Sequence, residues 1–202
     1  LALIFAWASV LGGSAAVYVQ SLLHPACALA APVQAGYQSV SLISPAGFTL
    51  SGWYRAPANG ALVVLLGGHG ANRDAMLPEA ELLAAAGYGI LALEQRACAG
   101  QMATLGYREA EDVLLAVDYA LRQPGVTWLG ALGFSAGGAA VIRAAAQDER
   151  IQALVAEGNY ASLLEEMSPA PGAALAWLEW QLHPLAAGFY ALFTGIWPGQ
   201  VN

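Results

Sequence analysis

The sequence predicts an α/β protein, a mostly parallel sheet with helices on both faces, preceded by one N-terminal transmembrane helix. Short apolar segments alternate with segments of helical periodicity, which is the pattern of parallel strands joined by helices. An uncharged stretch precedes them, from residue 1 to residue 23. The composition, 58% hydrophobic and 10% charged, excludes a disordered chain and a coiled coil.

Residues 1–24 form the first predicted element, because this run is long enough to cross a bilayer, which takes about 20 apolar residues. Three interpretations stay open: a transmembrane anchor, a secretory signal ending near the small residues 28–30, and a buried core helix. The run exceeds the usual length of a signal core, which favours the anchor. Residues 25–36 are predicted to be a linker, and a lipid on Cys27 is disfavoured by the preceding His-Pro-Ala.

The core is predicted from residue 37, where polar and apolar residues alternate over 38–43 and 48–54 and indicate an antiparallel hairpin. Residues 61–66 are continuously apolar, as in a strand buried on both faces. Asn72 is predicted to cap a helix that begins near Arg73. The side chains expected on its buried side are Met76, Leu77, Leu82 and Leu83.

The same alternation continues to residue 167, the predicted end of the core. Further strands are expected at 88–93, 127–132 and 151–156, the last of them buried, with helices at 107–121 and 136–146. The helix at 107–121 carries carboxylates that are interpreted as a solvated face, namely Glu111, Asp112 and Asp118.

The C-terminal segment, residues 168–202, is almost uncharged. Prolines at 169–171 separate it from the core, and residues 173–197 are predicted to be helical and aromatic. We interpret it as a lid or cap over a site, with a second membrane-seeking surface as the alternative. Because the chain opens on Leu and ends at Asn202 with no element completed, we expect a fragment that lacks both ends.

The motif that carries chemistry is Gly133-Phe134-Ser135-Ala136-Gly137, which matches G-x-S-x-G. It directly follows a predicted buried strand and directly opens a predicted helix, as a nucleophile elbow does. A Ser on such a sharp turn needs small neighbours two residues away, and Gly133 and Gly137 supply them. The alternative is an ordinary glycine-rich turn with a capping Ser.

With these motifs the chain resembles the α/β-hydrolase superfamily, in the branch of bacterial membrane-anchored hydrolases related to serine aminopeptidases. The resemblance runs from about residue 37 to residue 160 through LSGWYRAP, VVLLGGHGANRDAML, AAAGYGILALEQR, GYREAEDVLLAVDYAL, LGALGFSAGGAAVIRAAA and IQALVAEGNYAS. It implies an α/β-hydrolase fold, incomplete at the C-terminus, with Ser135 as the nucleophile. The backbone N–H groups of His69 and Ala136 would form the oxyanion hole.

Two loops depart from the pattern of the superfamily. Gly67-Gly68 stands where relatives usually carry His-Gly, so a loop-stabilising imidazole is lost. Glu94 to Gly100 stands where relatives tend to read Asp-x-Arg-Gly-His-Gly. That loop supports the site rather than performing chemistry, so a change of specificity is expected.

The partners of Ser135 are expected from a missing C-terminal part, because the superfamily order is nucleophile, acid and then His. Only His183 follows Ser135, and it is interpreted as a helix-end or surface histidine. Glu157, at the end of the sixth predicted strand, is an alternative acid, although a carboxylate there more often supports a loop. Cys98 is interpreted as a small loop residue.

The expected function is that of a serine hydrolase acting on an ester, thioester or amide, with residues 1–202 alone inactive. The alternative is a non-catalytic, membrane-tethered binding module of the same fold. Expected partners are a small-molecule acyl substrate and the bacterial membrane, crossed once, with the hydrolase domain outside the cytoplasm. No metal or organic cofactor is expected. The net charge of −7, with Arg as the only basic residue type, excludes nucleic acid.

Overall fold

The sheet is the centre of the fold in a computed structural model that describes residues 2–168 and 176–201. In that part of the chain it has six strands in the order β1-β2-β4-β3-β5-β6. The strands are β1 (Gln38–Ile43), β2 (Thr49–Arg55), β3 (Ala61–Leu66), β4 (Gly89–Leu93), β5 (Trp128–Phe134) and β6 (Ala153–Glu157). The helices are α1 (Ala2–Leu23), α2 (Leu77–Ala85), α3 (Glu109–Ala120), α4 (Ala136–Ala145), α5 (Leu163–Glu166) and α6 (Ala176–Thr194).

The chain divides into two compact units. The sheet unit comprises Pro25–Asn159, and the helical unit comprises Leu1–His24 together with Tyr160–Asn202. In the sheet unit β1 and β2 form the predicted antiparallel hairpin, β2 also runs antiparallel to β4, and the remaining strand pairs are parallel. The predicted fold class is therefore confirmed.

The buried strands explain why helices lie on both faces of the sheet. In β3 the side chains of Leu62, Val64 and Leu66 pack in one cluster with α3 and α4. The alternate side chains, Val63 and Leu65, pack in a second cluster with α2. A strand that is apolar at every position needs such cover on both sides, because successive side chains point to opposite faces.

The start of α2 differs from the prediction. The helix begins at Leu77, not near Arg73, and Asn72 donates a hydrogen bond to the carbonyl oxygen of Ala28 instead of capping it. Pro78 explains the difference, since proline is tolerated in the first turn of a helix and disfavoured in its interior. Met76, Ala80 and Ala84 are buried in one cluster and Leu77 and Leu83 pack against it, whereas Leu82, predicted to be buried, is 75% exposed.

The burial predicted for the last strand is wrong. β6 pairs with β5 along one edge, and its Val155 and Leu154 are 55% and 40% exposed. An apolar sequence pattern indicates that a strand can be buried on both faces. It does not indicate which elements pack over those faces, and so it did not predict the exposure of β6.

The helical unit is built around α1 and α6, which pack against each other. One face of α1 is buried, at Leu11, Ala15, Val19 and Leu23, which are four residues apart. α1 has 22 residues and is long and apolar enough to cross a membrane. α6 confirms a helix within predicted residues 173–197, whereas the predicted break at 169–171 and residues 173–175 lie outside the described residues.

Candidate active site

Ser135 lies at the turn between β5 and α4, with φ 52° and ψ −121°. A positive φ is strained for a residue with a side chain, and apart from glycines only Leu105 shares it within residues 2–168 and 176–201. Strain of this kind persists only where the surrounding structure enforces it. The backbone N–H of Ser135 donates to the carbonyl oxygen of Glu157 at 2.8 Å, which fixes the turn to the end of β6.

Gly133 and Gly137 allow this turn because other backbone atoms fill the space of a side chain. A Cβ added to Gly133 would lie 2.3 Å from the carbonyl oxygen of Gly137. A Cβ added to Gly137 would lie 2.1 Å from the carbonyl oxygen of Leu66, at the end of β3. The two glycines thus let the start of α4 approach both β5 and β3 closely.

The loop that follows β3, residues 67–72, forms one wall of a cavity of about 430 Å³ beside the turn. Its lining residues are Gly67, Gly68, His69, Ala71, Ala75, Met76, Phe134 and Ser135. Ala136 is the first residue of α4, where a backbone N–H has no acceptor within the helix and the positive end of the helix dipole lies. The structure therefore brings His69, Ser135 and the start of α4 together, and their role as nucleophile and oxyanion hole stays a prediction.

Gln95, two residues after β4, holds both ends of this loop and was not predicted from the sequence. Its side-chain Nε2 donates to the carbonyl oxygen of Gly67 at 2.6 Å, and its backbone N–H donates to the carbonyl oxygen of Ala71 at 2.9 Å. The residue is only 3% exposed. A polar residue two positions after an apolar strand was the available signal, but its partners lie in a loop more than 20 residues earlier.

Arg96 anchors the same segment to α3. Its guanidinium donates two hydrogen bonds to the Asp112 carboxylate, from Nε at 2.7 Å and from Nη2 at 2.8 Å. Asp112 is buried, so its predicted place on a solvated face is wrong, whereas Glu111 is exposed as predicted. Burial raises the pKa of Asp112 to about 6, opposed by the Arg96 ion pair and assisted by the nearby carboxylates of Glu109 and Glu111.

A disulfide joins Cys27 in the linker to Cys98 in the loop after β4, a pairing that was not predicted from the sequence. The sequence could not pair them, because the two residues are 71 positions apart and two cysteines carry no spacing pattern. The linker also lies against the loop after β3. A Cβ added to Gly70 would be 3.2 Å from Pro25 Cβ.

The sequence predicts Glu157 as an alternative acid and His183 as a helix-end or surface histidine. The Glu157 side chain is exposed, so this residue meets the turn through its carbonyl oxygen alone. His183 is half-buried within α6, in the helical unit, and its Nε2 lies 3.3 Å from both Ser168 Oγ and the Leu164 carbonyl oxygen. Among the described residues no three side chains of the His, Cys, Asp and Glu types lie together in a group that could hold a metal.

Comparisons with known proteins agree with this geometry. The chain matches an esterase from Pyrococcus furiosus, Pf2001, with a TM-score of 0.65 and 23% identity, over 82% of this chain and 69% of the esterase. It matches Est1E from Butyrivibrio proteoclasticus with a TM-score of 0.55 and 22% identity, over 65% of this chain and 56% of Est1E. It matches the alpha/beta hydrolase GrgF from Penicillium with a TM-score of 0.57 and 22% identity, over 75% of this chain and 54% of GrgF. These likenesses show the fold.

The family follows from sequence. No curated protein matches the chain. A sequence model of the family described as alpha/beta hydrolase fold matches residues 61–196, from β3 through the candidate nucleophile and into the helical unit. The chain belongs to the alpha/beta hydrolase fold family.

Proposed function

We propose that this protein is a serine hydrolase that cleaves an ester, thioester or amide bond through an acyl-enzyme on Ser135. The observation that carries the proposal is the backbone of Ser135, held at φ 52° between a parallel strand and a helix. A capping Ser in an ordinary turn has no need of that conformation, whereas a nucleophile gains exposure of its hydroxyl above the strand.

In the proposed reaction a histidine removes the Ser135 proton while Oγ attacks the substrate carbonyl carbon. The oxygen of the tetrahedral intermediate accepts hydrogen bonds from the N–H groups of His69 and Ala136. The carbonyl then reforms, the leaving group departs with the proton from the histidine, and water repeats the sequence to release the acid. The histidine and the acid that orients it come from outside residues 1–202 in this proposal.

Separate observations support the choice of substrate class and of compartment. The cavity beside Ser135 is lined by small and apolar side chains such as Ala71, Met76 and Phe134, which fit the acyl part of a small substrate. The structural likeness to the esterase Pf2001 favours a carboxylic ester, while the motif order favours the aminopeptidase-related branch. α1 would anchor the protein in a bacterial membrane, and the disulfide favours an oxidising location outside the cytoplasm.

Fluorophosphonate labelling tests the nucleophile. We expect the intact protein to be labelled on Ser135 and the Ser135→Ala variant to lose labelling, because the probe reacts only with an activated hydroxyl. Ser168→Ala, which removes a hydroxyl from the helical unit, is the matched control and should label like the unaltered protein. Labelling that survives Ser135→Ala would refute the assignment.

The alternative is a non-catalytic binding module, favoured by the Gly67-Gly68 loop, which lacks the imidazole of relatives, and by the altered loop from Glu94 to Gly100. The gene beyond codon 202 separates the two functions. The hydrolase requires a later strand that ends in Asp and a later histidine. A stop codon at that point would favour the binding module.

A further inference from the structure

The outward face of α6 is apolar along its whole length. Its exposed residues recur every three or four positions and so form one stripe, which consists of Trp177, Trp180, Pro184, Leu185, Gly188 and Leu192. Trp180 and Leu192 are 66% and 72% exposed. A helix on the surface of a water-soluble unit normally presents polar side chains at such positions.

The polar side chains of α6 face its neighbours in the helical unit. Gln181 Oε1 accepts a hydrogen bond from Trp7 Nε1 of α1 at 3.2 Å. Glu179 and His183 are half-buried and line a cavity of about 330 Å³ with Ser14 and Tyr18 of α1. These polar side chains of α6 thus lie on the side that faces α1, next to apolar buried residues, and the exposed side of α6 is apolar. This arrangement suits helices that contact lipid, where polar groups pair with one another away from the hydrocarbon.

The apolar stripe of α6 continues onto α1. The two helices pack together, and Trp7 stacks on Trp177 with ring centroids 6.1 Å apart. Val10 and Val17 of α1 are 59% and 71% exposed, and α1 carries no charged residue. α1 has the length and composition of a membrane span. If α1 lies in a bilayer, the apolar stripe of α6, which packs against α1, contacts the same bilayer.

We propose that α6 lies in the lipid bilayer beside α1, with its apolar stripe against the acyl chains. The inference rests on the proposed anchoring role of α1. It differs from a lid over the active site, which would turn this stripe towards the substrate. α6 has 19 residues, or about 28 Å of helix at 1.5 Å per residue, but among the described helices α1 alone is long and apolar enough to cross a membrane, so α6 would enter the bilayer only as the partner of α1. Pro184 and Gly188 are tolerated in such helices.

Lipid quenching of a fluorophore tests the proposal. Single cysteines are introduced as Leu192→Cys on α6, Val10→Cys on α1 and Leu82→Cys on α2, whose side chain is exposed to the same extent as Leu192. Each is labelled with nitrobenzoxadiazole without reductant, so that the native disulfide stays closed, and the protein is reconstituted into phosphatidylcholine vesicles with or without brominated acyl chains. We expect blue-shifted emission, quenched by brominated lipid, at residues 192 and 10, and neither effect at residue 82.

Each other result overturns the inference in a distinguishable way. Quenching at residue 10 without quenching at residue 192 agrees with α1 as a membrane anchor and refutes the proposal that α6 lies in the bilayer. Quenching at neither position refutes both. A blue shift at residue 192 that brominated lipid does not quench means that protein, such as a second copy of the chain, covers the stripe. Trp180→Cys provides a second position on the stripe should Leu192→Cys fail to fold.

Discussion

Ser135 owes its conformation to neighbours that have no side chain. Strained φ values cost on the order of 1–3 kcal/mol each and persist where packing leaves no alternative. Here the start of α4 approaches the ends of β5 and β3 so closely that backbone oxygens occupy the Cβ positions of Gly133 and Gly137. The hydroxyl position is thus set by main-chain packing, which the surrounding buried strands make rigid.

Gly137→Ala should disrupt both stability and labelling. The new Cβ would fall 2.1 Å from the Leu66 carbonyl oxygen and 2.4 Å from that of Gly67, and backbone atoms of a central strand cannot move aside. We expect a loss of at least about 3 kcal/mol in the free energy of unfolding, measured by urea titration in detergent, and loss of fluorophosphonate labelling. Gly188→Ala is the control, because a Cβ there has no neighbour within 4 Å. A Gly137→Ala protein as stable as Gly188→Ala would contradict this account.

The glycines were predictable from sequence because the motif is local, whereas the partners of Asp112 and Gln95 were not. A carboxylate on a helix has the same neighbours in the sequence whether its side chain meets solvent or a guanidinium. The Arg96 ion pair forms only after the loop following β4 folds back onto α3. Likewise, nothing near Gln95 in the sequence identifies the carbonyls of Gly67 and Ala71 as its acceptors.

At the scale of elements, the predictions held where one pattern decided the outcome. The strand at Ala61–Leu66 has the predicted bounds because a short run of six apolar residues between turns admits little else. The start of α2 depended on a competition between Asn72 as a cap and Pro78 as a first-turn residue, and Pro78 prevailed. The exposure of β6 depends on what packs over a sheet edge, which periodicity does not report.

The loop after β4 acts on the candidate oxyanion hole through the loop after β3. Gln95 fastens residue 67 with its side chain and residue 71 with its backbone, and His69 lies between those two points. Glu94 adds a second connection, because its carboxylate accepts from the Ser51 backbone N–H at 2.7 Å and pairs with Arg73 at 3.2 Å. We regard Gln95 as a positioning residue for the His69 N–H.

Gln95→Met tests this role, since it keeps the size of the side chain and removes the donor to Gly67. In the full-length protein, which in the proposed function supplies the histidine and the acid, we expect kcat for p-nitrophenyl butyrate to fall about tenfold, less than the 10²–10³ typical of a lost oxyanion donor, with KM unchanged. Gln123→Met is the matched control, because Gln123 bonds the Tyr119 carbonyl oxygen at the end of α3. Equal kcat values for the two variants, or a change confined to KM, would show that Gln95 does not position the loop.

At the scale of the whole molecule, the disulfide determines how the linker is held. Cys27 and Cys98 connect the segment that follows α1 to the loop after β4, and both belong to the sheet unit. The linker is fastened further by Asn72, which donates to the Ala28 carbonyl oxygen, and by Asp74, which accepts from the Ala31 N–H at 3.3 Å. The linker thus covers residues of the loop after β3, and the disulfide holds the linker there.

The double variant Cys27→Ser, Cys98→Ser should therefore be less stable and less reactive. Closing a span of 71 residues restricts the unfolded chain and corresponds to about 4 kcal/mol in the loop-entropy treatment. In detergent, we expect dithiothreitol to lower the urea midpoint of the unaltered protein to the midpoint of the double variant. The midpoint of the double variant itself should not change when dithiothreitol is added. Fluorophosphonate labelling should slow in parallel, because released linker no longer packs on Gly70. A midpoint that is the same with and without dithiothreitol would mean that the hydrogen bonds of Asn72 and Asp74 hold the linker without the covalent bond.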